Sequence, residues 1–113
     1  MAIAGTVSLN SNADFRRAYA RGKAYTAPAL VTYVRKNRAG VCRVGITTSK
    51  KIGNAVQRNR AKRVIRAAAE MLPAFSPGYD VVFVARTRTV RIKSTQLKDD
   101  MARHLRAAGV IDG

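Results

Sequence analysis

A chain of 113 residues with 47% apolar content can close one hydrophobic core but is short for two. Its 22 Lys and Arg against 6 Asp and Glu leave a formal charge of +16, a self-repulsion that a polyanion relieves, so nucleic acid is the expected partner class. A single cysteine, Cys42, and a single histidine, His104, exclude an internal disulfide and leave no zinc-type ligand set, while no apolar run approaches the length of a membrane span.

The opening residues carry neither a charged leader nor a long apolar segment, so a cytoplasmic protein is expected. Charge is unevenly placed along the chain. No acid lies between Asp14 and Glu70, whereas fifteen basic residues fall from Arg16 to Arg66. A merely solvated surface intersperses both signs, and a basic membrane helix needs a broad face of bulky apolar residues. Neither pattern is present, and no repeat or low-complexity tract interrupts the single domain, 1–113.

The first predicted element is a helix over Ser11–Arg21, with Ser11 or Asn12 as N-cap, Asp14 in the first turn and Gly22 available for a left-handed C-terminal cap. Phe15, Ala18 and Tyr19 share one face of it. Leu30–Arg35 and Val41–Thr48 read as strands, and the polar stretch between them has hairpin length, so the two are expected to pair antiparallel. Alternation puts Cys42, Val44 and Ile46 on one face of the second strand, and Leu30, Thr32 and Val34 opposite Val31, Tyr33 and Arg35 in the first. A sheet with one face on a core and the other open to a ligand fits both.

The longest helix is predicted over Ala55–Leu72, stopped by Pro73. Asp80–Ala85 follows as a strand apolar from Val81 to Val84, the composition of a central strand covered on both faces. After a basic loop, Arg86–Lys93, a last helix opens at Ser94 or Thr95, aligns Leu97, Met101, Leu105 and Ala108, and ends at Gly109. Val110 and Ile111 are expected to add a short closing strand.

The long helix carries the chemistry. At about 100° per residue, Ala61, Val64, Ile65, Ala68 and Leu72 gather on one side. Arg58, Asn59, Lys62, Arg63 and Arg66 gather on the other, with Arg60 near the boundary. From Arg58 to Arg63 no cation has a carboxylate three or four residues away to pair with, so the stripe repels itself unless phosphate lies against it. Arginine suits forked phosphate contacts, and the Asn59 amide suits a 2′-hydroxyl or base edge. Lys50 and Lys51, just ahead of Gly53 and Asn54, extend the stripe round the N-terminal end of the helix, where free N–H groups already favour an anion.

In the ordered set Lys50-Lys51-Ile52-Gly53-Asn54-Ala55-Val56, Arg58-Asn59-Arg60, Lys62-Arg63 and Arg66, the chain resembles the bacterial ribonuclease P protein family. The likeness extends to Phe15, Tyr19, Gly22 and Tyr33, to the strand from Asp80 to Arg86 and to the last helix. It implies an α+β, two-layer sandwich with a split β-α-β core like that of ribosomal proteins. A left-handed crossover is implied too, an exception to the usual hand, in the order α-β-β-α-β-α before the short last strand.

The resemblance also implies a role. The protein would be the non-catalytic subunit of a ribonucleoprotein endonuclease that removes the 5′ leader of precursor tRNA. It would be monomeric, one copy per RNA subunit, with Mg2+ held mainly by that RNA and the substrate. Carried over residue by residue, Lys50, Lys51, Asn54, Arg58, Asn59, Arg60, Lys62, Arg63 and Arg66 would dock the RNA subunit. Phe15, Arg16, Tyr19 and Tyr33 would line a cleft for the leader, since aromatic rings beside cations are what single-stranded RNA needs. Two features depart from the family pattern: Met1–Ala13 is uncharged, and Pro28 stands where a polar or basic residue is frequent. Two rivals remain: a ribosomal structural protein on the same scaffold, and a self-sufficient nuclease. The latter lacks parts, because Asp99, Asp100 and His104 share one helix and no acid lies with the basic face.

Overall fold

A computed structural model describes residues 3–112; Met1 and Ala2 of the uncharged N-terminal segment, and the terminal Gly113, lie outside them. Strand β1 (Thr6–Ser8) leads into helix α1 (Asn12–Arg21), then β2 (Lys23–Ala27), β3 (Leu30–Lys36) and β4 (Cys42–Thr47). A one-turn 3-10 segment, Lys50–Ile52, precedes α2 (Ala55–Glu70); β5 (Tyr79–Ala85), a second 3-10 segment at Thr87–Arg91 and α3 (Ser94–Ala108) complete the chain. The sheet runs β1-β4-β5-β3-β2, with β4 parallel to β1 and β5, and β3 antiparallel to β5 and β2. This is the α+β architecture expected, with β4 and β5 joined through α2.

The expected hairpin does not form. The two strands run in opposite directions, but β5 lies between them and pairs with both. A strand apolar from Val81 to Val84 loses most by standing at an edge, so it takes the central place and the polar connection arches over its start. Asn37 N–H donates to the Gly78 carbonyl at 2.8 Å, and Gly78 N–H to that of Val41 at 3.1 Å. Two further strands, β1 and β2, carry too little apolar alternation to be read from sequence and form by pairing at the sheet's edges. Gly22 caps α1 in an extended conformation (φ −77°, ψ 157°), not the left-handed one, because the chain turns straight into β2. Val110 and Ile111 form no strand; both are buried as a plug, with the Val110 carbonyl accepting from Ser76 N–H at 2.8 Å.

Alternation along the strands separates two cores. Val81, Phe83 and Ala85 join Leu30, Val34, Cys42 and Val44 against α2 and α3, where Ala61, Ile65, Ala68, Leu97, Met101 and Leu105 are buried. The opposite face is thin: Leu9, Ala18 and Val82 are buried there, with Phe15, Tyr33 and Val84 packed partly against them. At about 25 cal/mol per Å2 of apolar area, the α2–α3 side supplies most of the stability. The α1 side is left with aromatic rings that are only half covered.

Candidate nucleic-acid interface

α2 begins with a reciprocal cap. Asn54 Oδ1 accepts from Gln57 N–H at 3.0 Å and Gln57 Oε1 accepts from Asn54 N–H at 3.3 Å. The cap sets the helix's entry after Lys50 and Lys51, both exposed, and commits the Asn54 oxygen to the backbone.

The predicted two-sided helix is present. Ala61, Ile65 and Ala68 are buried, as is Ala69, while Val64 is half buried. Asn59, Arg60, Arg63 and Arg66 are exposed, and Arg58 and Lys62 half exposed. Among the described residues the ion pairs involve Arg17, Arg35, Arg43 and Arg103, and none involves a cation of α2. Even Glu70, four residues beyond Arg66, makes no pair with it. Arg58 Nη1 donates to the Gly53 carbonyl at 3.1 Å and Arg60 Nε to that of Val90 at 3.1 Å. These bonds fix two side chains while leaving their charge uncancelled.

On the other face of the sheet, register builds rows across β4, β5 and β3. The first is Arg43, Asp80 and Arg35; the second is Gly45, Val82 and Tyr33. Asp80 is fully buried and bound by Arg43 through Nε at 2.7 Å and Nη2 at 2.8 Å, by Asn37 Nδ2 at 2.7 Å and by Arg35 at 3.6 Å. Arg43 also reaches Asp14 of α1 at 3.3 Å, and its guanidinium is held charged more firmly than usual by the hydrogen bond to Asp80, against a smaller cost of burial. The Asp14–Arg43–Asp80 chain therefore ties α1 to the sheet. It was not foreseen, although an aspartate opening an apolar central strand is the kind of residue that needs a buried partner.

Above the second row lie the aromatic residues. A Cβ on Gly45 would sit 2.5 Å from the Phe15 ring, so glycine is what lets that ring lie on the strand. Tyr19, 41% exposed, meets Tyr33 edge to face with centroids 5.1 Å apart and donates its hydroxyl to Thr47 Oγ1 at 3.2 Å. Arg16 is exposed on α1. β1 ends against Val44, leaving the β4 edge beyond it without a strand partner among the described residues. A cleft of about 350 Å3 opens there, with Phe15, Gly45 and Ile46 on its walls and Arg66 of α2 at its side. The basic stripe and the aromatic face thus meet round the β4 edge, a junction that sequence could not reveal.

The remaining reactive side chains are structural. Burial pushes the Cys42 thiol up to about 12, with Asp80 adding to it. His104, 7% exposed, shares a 2.9 Å hydrogen bond between Nδ1 and Thr32 Oγ1 and lies against Tyr25. Its burial lowers its pKa. Among the described residues no group of three or more His, Cys, Asp or Glu side chains is placed to hold a metal ion, and no helix is long and apolar enough to cross a membrane.

Comparison with known proteins places this geometry. The family model described as Ribonuclease P matches residues 3–109. The ribonuclease P protein component of Clostridioides difficile is 42% identical over 96 residues, covering 83% of this chain and 82% of that one. That of Chloroflexus aurantiacus is 42% identical over 97 residues, covering 84% and 72%. The solved RNase P protein of Staphylococcus aureus superposes with a TM-score of 0.79 at 31% identity, over 93% of this chain and 97% of that one. The one from Thermotoga maritima does so with 0.74 at 25% identity, over 95% and 99%. The ribosomal structural protein weighed from the sequence is set aside, and the chain belongs to the ribonuclease P protein family.

Proposed function

We propose that the protein anchors the α2 stripe on the RNA subunit of ribonuclease P and offers the half-covered aromatic face under α1 to the 5′ leader of precursor tRNA. The RNA subunit carries out phosphodiester hydrolysis, with Mg2+ held by RNA and substrate phosphates, and one cytoplasmic protein monomer serves each RNA subunit. The protein's part is to neutralise phosphate and to hold the leader, raising substrate affinity and lowering the magnesium requirement.

The observation that carries this reading is the uncompensated charge of α2: among the described residues Arg58, Arg60, Lys62, Arg63 and Arg66 have no carboxylate partner, while the same helix buries Ala61 and Ile65. Helix stability gives no reason for such a stripe; an RNA backbone does. Half-exposed Tyr33 and exposed Tyr19 provide stacking surfaces, each worth about 1–3 kcal/mol per base. The arrangement of Arg66 beside the Phe15 cleft supports both contacts being made at once.

Reconstitution is the test. Added to the RNA subunit at low magnesium, the protein should restore precursor cleavage, and a photocrosslinker at Tyr33 should capture leader while one at Arg60 captures RNA subunit. Cleavage by the protein without RNA, or the reverse pattern of crosslinks, would overturn the reading.

A further inference from the structure

A groove of about 600 Å3 runs between α2 and the turn that enters α3. Its walls carry Arg60 and Arg63 from α2 and Arg91 and Lys93 from the turn, over the half-buried Val64 and Ile92. All four cations are exposed, and none is within ion-pair distance of a carboxylate among the described residues. The bond from Arg60 Nε to the Val90 carbonyl turns this guanidinium off the stripe and across to the facing turn. Four like charges round one groove strain the fold unless an anion enters. The first turn of α3 supplies no acid to relieve them.

We propose that this groove seats a second stretch of sugar-phosphate backbone of the RNA subunit, so that α2 is gripped on two flanks. The inference rests on the docking reading above and extends it to Arg91 and Lys93, which lie outside the α2 stripe. No aromatic ring lines the groove, so it has nothing on which a leader base would stack, and its cations and apolar floor suit phosphate and ribose. Two of its four cations belong to α2 itself, which makes it continuous with the surface proposed for the RNA subunit.

The double variant Arg91→Gln/Lys93→Gln tests this in the full chain, with circular dichroism checking the fold and binding to the RNA subunit alone followed across a monovalent-salt series. Losing two phosphate contacts should make the slope of log K against log salt shallower by about 2. Arg21→Gln/Lys23→Gln, which removes two exposed cations elsewhere, should leave the slope in place. If Arg91→Gln/Lys93→Gln leaves the slope unchanged while Arg58→Gln/Arg66→Gln reduces it, the groove is idle and only the stripe docks. If neither pair changes it, the docking reading itself fails. An equal loss from Arg21→Gln/Lys23→Gln, or a loss confined to precursor binding by the assembled particle, would also overturn the assignment.

Discussion

Asp80→Asn should separate the two surfaces proposed to face RNA. The carboxylate is fully buried and receives both nitrogens of a forked Arg43, with Asn37 on the same oxygen as Arg43 Nε. Removing one partner of a buried pair costs about 3–5 kcal/mol because the other charge is stranded. Arg43 keeps 25% of its side chain in water and still has Asp14 at 3.3 Å, which puts the cost near the lower end, about 3 kcal/mol. For a domain holding about 5–15 kcal/mol this is a large fraction. At about 1–3 kcal/mol per molar urea the midpoint should fall by roughly 1–3 M. The double variant Asp80→Asn/Arg43→Met should lose less than the sum of the single changes, by about 1.5 kcal/mol or more. Because the same arginine ties α1 to the sheet, precursor affinity should drop in the assembled particle while the binding to the RNA subunit proposed for α2 is kept. Strictly additive losses, or RNA-subunit binding falling as far as precursor binding, would refute the reasoning.

Three other outcomes are expected. Gly45→Ala drives a Cβ into the Phe15 ring, whose outward side is partly free to yield, so stability should fall by only about 1 kcal/mol. Precursor affinity should fall clearly more for substrates with a leader than without one, and equal losses for both would argue against the aromatic cleft. Asn54→Ala should cost α2 about 1 kcal/mol through the lost cap, whereas Asn54→Ser should restore both thermal stability and RNA-subunit affinity. Stability regained without affinity would show that the Asn54 amide itself touches RNA. The folded-state pKa of His104 lies below its ordinary 6.5, chiefly through burial and further through Arg103, opposed by Asp100 and a bond with the Thr26 backbone. The unfolded chain therefore binds the proton more tightly. The neutral ring's contribution is complete above pH 6.5 and is lost as pH falls through the folded value. Urea midpoints measured across that window should decline in the parent and less in His104→Gln; parallel declines would remove His104 as the cause.

Local pattern determined much of this protein. The period of about 3.6 made α2 two-sided before any packing was known. Ala61 and Ile65 went in and Arg63 and Arg66 out, and the absence of acids between Asp14 and Glu70 already implied a polyanionic partner. Alternation likewise divided the faces of β3 and β4 correctly, since side-chain direction depends only on the backbone of each strand. Strand order was decided elsewhere. Short loop length favoured a hairpin between β3 and β4, but burying Val81–Val84 on both faces outweighs the ease of a local turn, so β5 came between them. The Asp14–Arg43–Asp80 chain, the glycine beneath Phe15 and the meeting of Arg66 with the cleft all depend on residues far apart in sequence. Charge and periodicity are properties of a segment, whereas neighbours across a sheet exist only after the whole chain has chosen which strand to bury most deeply.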